Sequence, residues 1–144
     1  MKRSLLIRIA AVLMFLHTAG HTFGVFGSNP ATPTVARILQ DMDQHHFIFM
    51  GRSASLGIFF EGYGVVLILV LLFSSIVLWW LAPQTESELG AKLLLLSFLY
   101  LTALALLEII YRFPAFLTIP AAACLLMALV IRRPVTAVAP GKGW

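Results

Sequence analysis

Residues 55–82 read "SLGIFFEGYGVVLILVLLFSSIVLWWLA", and where that run is housed decides the fold. It exceeds the roughly 20 apolar residues that carry a helix across a hydrocarbon core. Its one charged side chain is Glu61. A helix this apolar is surrounded either by a large protein or by lipid. The chain has 144 residues, 60% of them hydrophobic and 11% charged, whereas an average soluble domain carries about 25% charged residues. There is too little polar surface to wrap a buried helix of this length, and the mean hydropathy of +0.96 agrees. The run reads as a transmembrane helix.

Three further runs, at about 4–26, 91–111 and 114–131, have the same character. None shows the alternation of a membrane β-strand, so helices are the spanning option. Lys2 and Arg3 ahead of the first run imitate a signal peptide. Arg8 interrupts that run, however, and no small-x-small cleavage site follows, so it is expected to stay as a helix. The connections "PQTESELG" (83–90) and "RFP" (112–114) are short, which makes spans two and three antiparallel neighbours and puts Pro114 in the first turn of span four. The long connection contains "TPTVARILQDMDQHHFIFMG" (32–51). Thr32 suits an N-cap and Pro33 the N1 position, and Val35, Ile38, Leu39, Met42, His46 and Phe49 recur at helical spacing. An amphipathic helix over about 33–50, lying at the outer interface and extending toward span two, is expected. The fold class is all-α: one polytopic domain over 1–144, a left-handed four transmembrane helix bundle with an outer interfacial amphipathic helix and a flexible tail at 134–144.

Charge sets the orientation. Lys2, Arg3, Arg8, Lys92, Arg132, Arg133 and Lys142 fall on one side of such a bundle, against Arg37, Arg52 and Arg112 on the other. The positive-inside rule then puts both termini in the cytoplasm, with Trp79 and Trp80 in the cytoplasmic aromatic belt. The basic residues gather on no soluble domain, so no nucleic-acid partner is expected; the partner is the lipid bilayer. Cys124 is the single cysteine and forms no internal disulfide.

Ionisable residues inside spans are costly and need a partner or a purpose. Span one carries His17 and His21, span two Glu61, span three Glu108, with Arg112 just beyond it. At 1.5 Å per residue, His21, Glu61 and Glu108 all fall about 9–11 Å outward of their span centres, with His17 about 6 Å deeper. His17 and His21, spaced i, i+4, share a face, and Gly20 and Gly24 beside them permit close approach of another helix. Gly57, Glu61, Gly64 and Ile68 form one stripe of span two; Leu101, Ala105, Glu108 and Arg112 form one of span three. These stripes are expected to converge beneath the interfacial helix as a ligand or proton cluster of His17, His21, Glu61, Glu108, Arg112 and Tyr63. Tyr63 also suits an interface anchor, as does Tyr111.

Two imidazoles at i, i+4 with a carboxylate from another helix can ligate a divalent metal ion, which makes His17, His21 and Glu61 a candidate metal set. Without a metal, a His/Glu pair in a low-dielectric layer exchanges protons, or acts as acid and base on a lipophilic small molecule entering from the outer leaflet. Structural readings stand beside these. The histidines can hydrogen-bond to Thr18, Thr22 or a neighbour's carbonyls, and Glu108 can pair with Arg112 at i, i+4. His45 and His46 suit a solvated face. Three function classes follow: a binding or transport-related membrane protein for a small ligand, proton or metal ion; a membrane enzyme; and a structural or assembly protein. The small-residue stripes would allow a homodimer.

"GHTFG" (20–24) closing span one and "FFEGYG" (59–64) opening span two resemble an uncharacterised family of small bacterial four-helix integral membrane proteins. The likeness covers most of spans one and two and is weak over spans three and four. It implies a bacterial inner-membrane location and a single four-helix unit, and it implies no reaction. In size and span count the chain is also similar to the redox-associated membrane proteins of the DoxX type, at the level of fold alone.

Overall fold

The computed structural model describes residues 2–27 and 32–131; Arg132, Arg133, Lys142 and the tail at 134–144 lie outside the described residues. The chain runs α1 (Arg3–Phe26), α2 (Pro33–Gln44), β1 (His46–Phe49), β2 (Arg52–Ser55), α3 (Leu56–Leu81), a 3-10 turn (Ala82–Gln84), α4 (Glu88–Ile110) and α5 (Thr118–Val130). Three helices, α1, α3 with its 3-10 extension, and α4, are long and apolar enough to cross a membrane. The fourth expected span is shorter: α5 has 13 residues, about 20 Å of helix. It begins at Thr118 rather than beside Pro114, because the chain turns through residues 111–117 after α4. Pro120, not Pro114, occupies its first turn.

Local chemistry explains the helix starts. Ser55 Oγ accepts from the Ile58 N–H at 3.2 Å and opens α3. Ser87 Oγ accepts from the Gly90 N–H at 2.9 Å, which starts α4 at Glu88, three residues before the apolar run itself. Glu88 then pairs with Lys92 one turn on, at 2.7 Å. Thr32 caps α2 by accepting from the Val35 N–H at 3.2 Å, with Pro33 in the first turn, as expected.

The rest of the long connection departs from the expectation of a helix over 33–50. The helix α2 stops at Gln44, and β1 and β2 form an antiparallel hairpin pairing His46 with Ser55 and Phe49 with Arg52. Its two central residues, Met50 and Gly51, have φ of 49° and 79°, the positive pair that a two-residue hairpin with right-handed strand twist requires. His46 and Phe49 therefore belong to a strand. The run His46-Phe47-Ile48-Phe49, aromatic and β-branched, favours extended backbone over another helical turn. Phe47 and Phe49, on one side of β1, pack against Phe59 of α3, with ring centroids 6.0 and 5.1 Å away. The helix α2 packs on α3 and β2, and a Cβ at Gly57 would run into Asp43. It covers the first turn of α3 and leaves its own Val35, Ile38 and Leu39 exposed.

In the bundle, α1 packs against α3 on one side and α5 on the other, and α5 in turn packs against α4. The core lies along these contacts: Leu6, Ile7, Ala10, Ala11 and Met14 of α1, Leu71 and Leu78 of α3, Leu94 and Leu101 of α4, and Ala121, Ala122, Leu125 and Ala128 of α5. Although joined by a short connection, α3 and α4 meet little. Their Ser74 and Tyr100 hydroxyls lie 3.2 Å apart, and an apolar cleft of about 580 Å³ opens between them, lined by Leu69, Val70 and Phe73 on α3 and Leu96 and Tyr100 on α4. Gly20 and Gly24 bring no helix close, since a Cβ there would meet nothing within 4 Å. The tight approach of α1 and α3 is made by Gly64 instead, where a Cβ would stand 3.0 Å from the Val25 side chain. At the opposite end, the Arg3 guanidinium donates to the Ala128 carbonyl (2.8 Å) and the Thr85 carbonyl (3.1 Å). That one side chain gathers the start of α1, the end of α5 and the α3–α4 connection.

The placement of α5 depends on small side chains. Ala121 is 0% exposed, so Ala121→Leu should force α5 off its neighbours and cost about 1–3 kcal/mol. Thermal unfolding of the purified protein in detergent should show a lowered Tm, while Ala123→Leu, outside that buried set, should leave it close to the parent value.

Candidate functional site

The end of α4 is shaped by its last turn. Phe113 N–H donates to the Glu108 carbonyl at 2.7 Å and Arg112 N–H to the Ile109 carbonyl at 3.2 Å, with Arg112 at φ 59°. This is a Schellman motif with arginine at the left-handed position that glycine usually takes. The chain reverses there and delivers Thr118, the first residue of α5, back against α4 and α1. As a result Arg112 is exposed and lies beyond the helix, so the expected i, i+4 pair with Glu108 does not form; that pairing needs both residues on one continuous helix.

Glu108 finds another partner. The Thr118 hydroxyl, fully buried, donates to Glu108 Oε1 at 3.0 Å. It also lies 3.0 Å from His17 Nδ1. A hydroxyl has a single hydrogen, so while it donates to Glu108 its oxygen can only accept from His17, in the form that carries a proton on Nδ1. The His17 Nε2 atom stands 3.7 Å from the same Oε1, too long for a hydrogen bond but within ion-pair range. Three helices thus meet in one triad, His17 on α1, Glu108 on α4 and Thr118 on α5. Two buried atoms of this layer, Glu108 Oε2 and His21 Nε2, have no hydrogen-bond partner among the described residues.

The triad has a definite proton chemistry. With one proton added to the carboxylate and neutral imidazole, it has two arrangements of equal proton number. In one, Glu108 is ionised, His17 carries both ring protons, and Thr118 donates to Glu108. In the other, Glu108 is protonated and donates to Thr118, which donates to His17 Nδ1. Two short transfers across one oxygen interconvert them.

Other expected members lie elsewhere. His21 is half-buried, one turn beyond His17 on α1. Glu61 is exposed, and among the described residues it forms no ion pair. Tyr63 is 71% exposed and stacks on Phe59, centroids 6.3 Å apart, so it belongs to the aromatic patch beneath the hairpin. The expectation that Glu61 and Glu108 close one cluster fails on the register of α1 against α3: Ser75 meets Ala11 and Gly64 meets Val25, so Glu61 lies beyond the level of Val25, whereas Glu108 sits at His17. Among the described residues no group of three His, Cys, Asp or Glu is placed to hold a metal ion, and the set His17, His21 and Glu61 is not assembled. Thr18 and Thr22 do not serve the histidines either, since each hydroxyl donates to the carbonyl four residues back, Met14 (2.9 Å) and Thr18 (2.8 Å). His45 and His46 are exposed near α2 and the hairpin, contacting the Asp41 carbonyl (2.8 Å) and the Ser53 hydroxyl (3.3 Å).

Thr118 is the member that sequence reasoning missed. Ionisable side chains mark a buried site in a sequence, and span four holds none. The available signal was position: a threonine at the first turn of a helix has no helical carbonyl four residues back, so its hydroxyl is free for another partner. Comparison with known protein families, with curated proteins and with solved structures found no match.

Two substitutions separate these roles. Arg112→Gly should relieve the left-handed conformation and raise stability by up to about 1 kcal/mol, leaving the triad intact. Thr118→Val keeps the shape but removes both hydrogen bonds. It should lower stability by about 1–3 kcal/mol, since Glu108 and His17 Nδ1 then lose partners in a buried layer. Chemical denaturation in mixed micelles would measure both.

Proposed function

We propose that the protein is a small integral membrane protein of the bacterial inner membrane that binds a proton at the His17–Thr118–Glu108 triad and passes it between carboxylate and imidazole. The observation that carries this reading is the single Thr118 hydroxyl at 3.0 Å from both Glu108 Oε1 and His17 Nδ1. A carboxylate and an imidazole joined through one donor–acceptor atom form a proton relay with a single intermediate group. In this reading the chain crosses four times with both termini cytoplasmic, which places the triad in the outer half. Support comes from the return of α5 to the level of Arg3 and from the basic residues near that end. The helix α2 lies at the outer interface, its exposed Val35, Ile38 and Leu39 directed to the lipid headgroup boundary. Glu108 Oε2 and His21 Nε2 are the groups through which the proton, or a small polar ligand, enters or leaves.

A structural reading is favoured by one specific fact: the triad ties three helices together, and buried polar groups can serve packing alone. The two readings are separated by infrared difference spectroscopy after a pH jump, on protein in lipid nanodiscs. A proton-binding triad predicts a protonated-carboxyl band that disappears in Glu108→Gln and shifts in both His17→Gln and Thr118→Val. If the band is absent from the parent protein, or Glu108→Gln leaves it unchanged, the triad is a structural staple and the proton reading fails.

A further inference from the structure

At the Arg3 end of the bundle lies a second arginine that donates to no carbonyl among the described residues. Arg8 is exposed on α1, inside an apolar run, with its guanidinium carbon 5.4 Å from the centroid of the Trp79 ring. Neither ion pair among the described residues includes it; these are His17–Glu108 and Glu88–Lys92. Residues 132–144 contain no aspartate or glutamate. Among the described residues Arg8 is therefore a cation stacked on an aromatic ring, at the edge of a membrane-spanning segment, with no carboxylate beside it.

One turn and two turns further along α1, a groove of about 300 Å³ runs between α1 and α3, lined by Ala11, Val12, Phe15, Ser75, Ile76, Trp79 and Trp80. Its floor is satisfied internally, because the buried Ser75 hydroxyl donates to the Ala11 carbonyl at 2.9 Å. Its walls, Val12, Phe15, Ile76 and Trp80, are exposed to the surroundings. Trp79 belongs to both features, lying under Arg8 and along the groove. From the helix end toward the bundle middle the order is cation, indole, hydrocarbon. An anionic phospholipid has the complementary order of phosphate, glycerol backbone and acyl chain. A free anion gains nothing from the hydrocarbon groove, and a zwitterionic lipid brings its own cation to Arg8.

We propose that the α1–α3 groove beside Arg8 is a binding site for an anionic phospholipid, with the phosphate on the Arg8 guanidinium and one acyl chain along Val12, Phe15 and Ile76. The proposal is independent of the proton-binding triad at the other end of the bundle. It is tested in phosphatidylcholine vesicles with Trp80→Phe and Trp144→Phe, so that emission reports on Trp79 alone. The same small mole fraction of chain-brominated lipid is added as phosphatidylglycerol or as phosphatidylcholine. Brominated phosphatidylglycerol should be enriched at Trp79 by about fivefold over brominated phosphatidylcholine, the effect expected of one cation near an anionic lipid. Arg8→Gln should abolish that preference, and Val12→Phe, which fills the groove and leaves the cation, should weaken the quenching by both lipids. Equal quenching by the two lipids in the parent protein, or a preference unchanged in Arg8→Gln, overturns the proposal. Quenching by neither lipid overturns it together with the placement of α1 and α3 in the bilayer.

Discussion

Ala121, Ala122 and Ala128 give α5 so little side chain on its packed faces that it lies between α1 and α4 and touches both. The remaining architecture depends on that. Helices packed through alanines approach more closely than helices packed through leucines, and in a membrane, where lipid tails are as apolar as leucine, close packing supplies much of the association. A thicker α5 would leave α4 attached to the rest through its connection to α3 and the Ser74–Tyr100 contact. It would also withdraw Thr118, the hydroxyl that bridges His17 and Glu108. Small residues in the middle of α5 thus set the distance at which the polar groups at its start can meet.

Hydroxyls elsewhere in the spans behave differently. Thr18, Thr22, Ser74 and Thr102 all donate to the carbonyl four residues back in their own helix, at 2.7–2.9 Å. That bond satisfies a polar side chain in hydrocarbon without involving any neighbour. Ser75 is an interhelical exception, binding the Ala11 carbonyl, and Thr118 is another, because its helix begins there. Ser75 and Thr118 join α1 to α3 and to α5, and Ser74 also meets the Tyr100 hydroxyl of α4.

The bundle is also chemically polarised. Arg3 and Arg8 occupy one end, where Arg3 organises backbone carbonyls and Arg8 rests on Trp79. His17, His21, Glu108 and Thr118 occupy the opposite half. Along α1 the buried Ala10, Ala11 and Met14 lie between the two. The short hairpin and α2 sit at the triad's end of the bundle yet over α3, so they leave the triad to the loop that follows α4.

By itself the sequence determined the class of fold, because hydropathy over 20 or more residues is an additive property that needs no knowledge of neighbours. The three long helices, the Thr32 cap and the inward role of Glu108 and His17 were legible for that reason or from a strict periodicity. Tertiary structure alone decided which polar groups meet. Position along a helix axis follows from counting residues, but the direction a side chain faces relative to other helices depends on their order around the bundle, which no local pattern encodes. Glu61 is exposed near the start of α3, beyond the level at which Glu108 meets His17, and Arg112 lost its helical partner to a left-handed turn. Thr118, carrying no charge to mark it, became the centre of the site through the thinness of the helix that follows it.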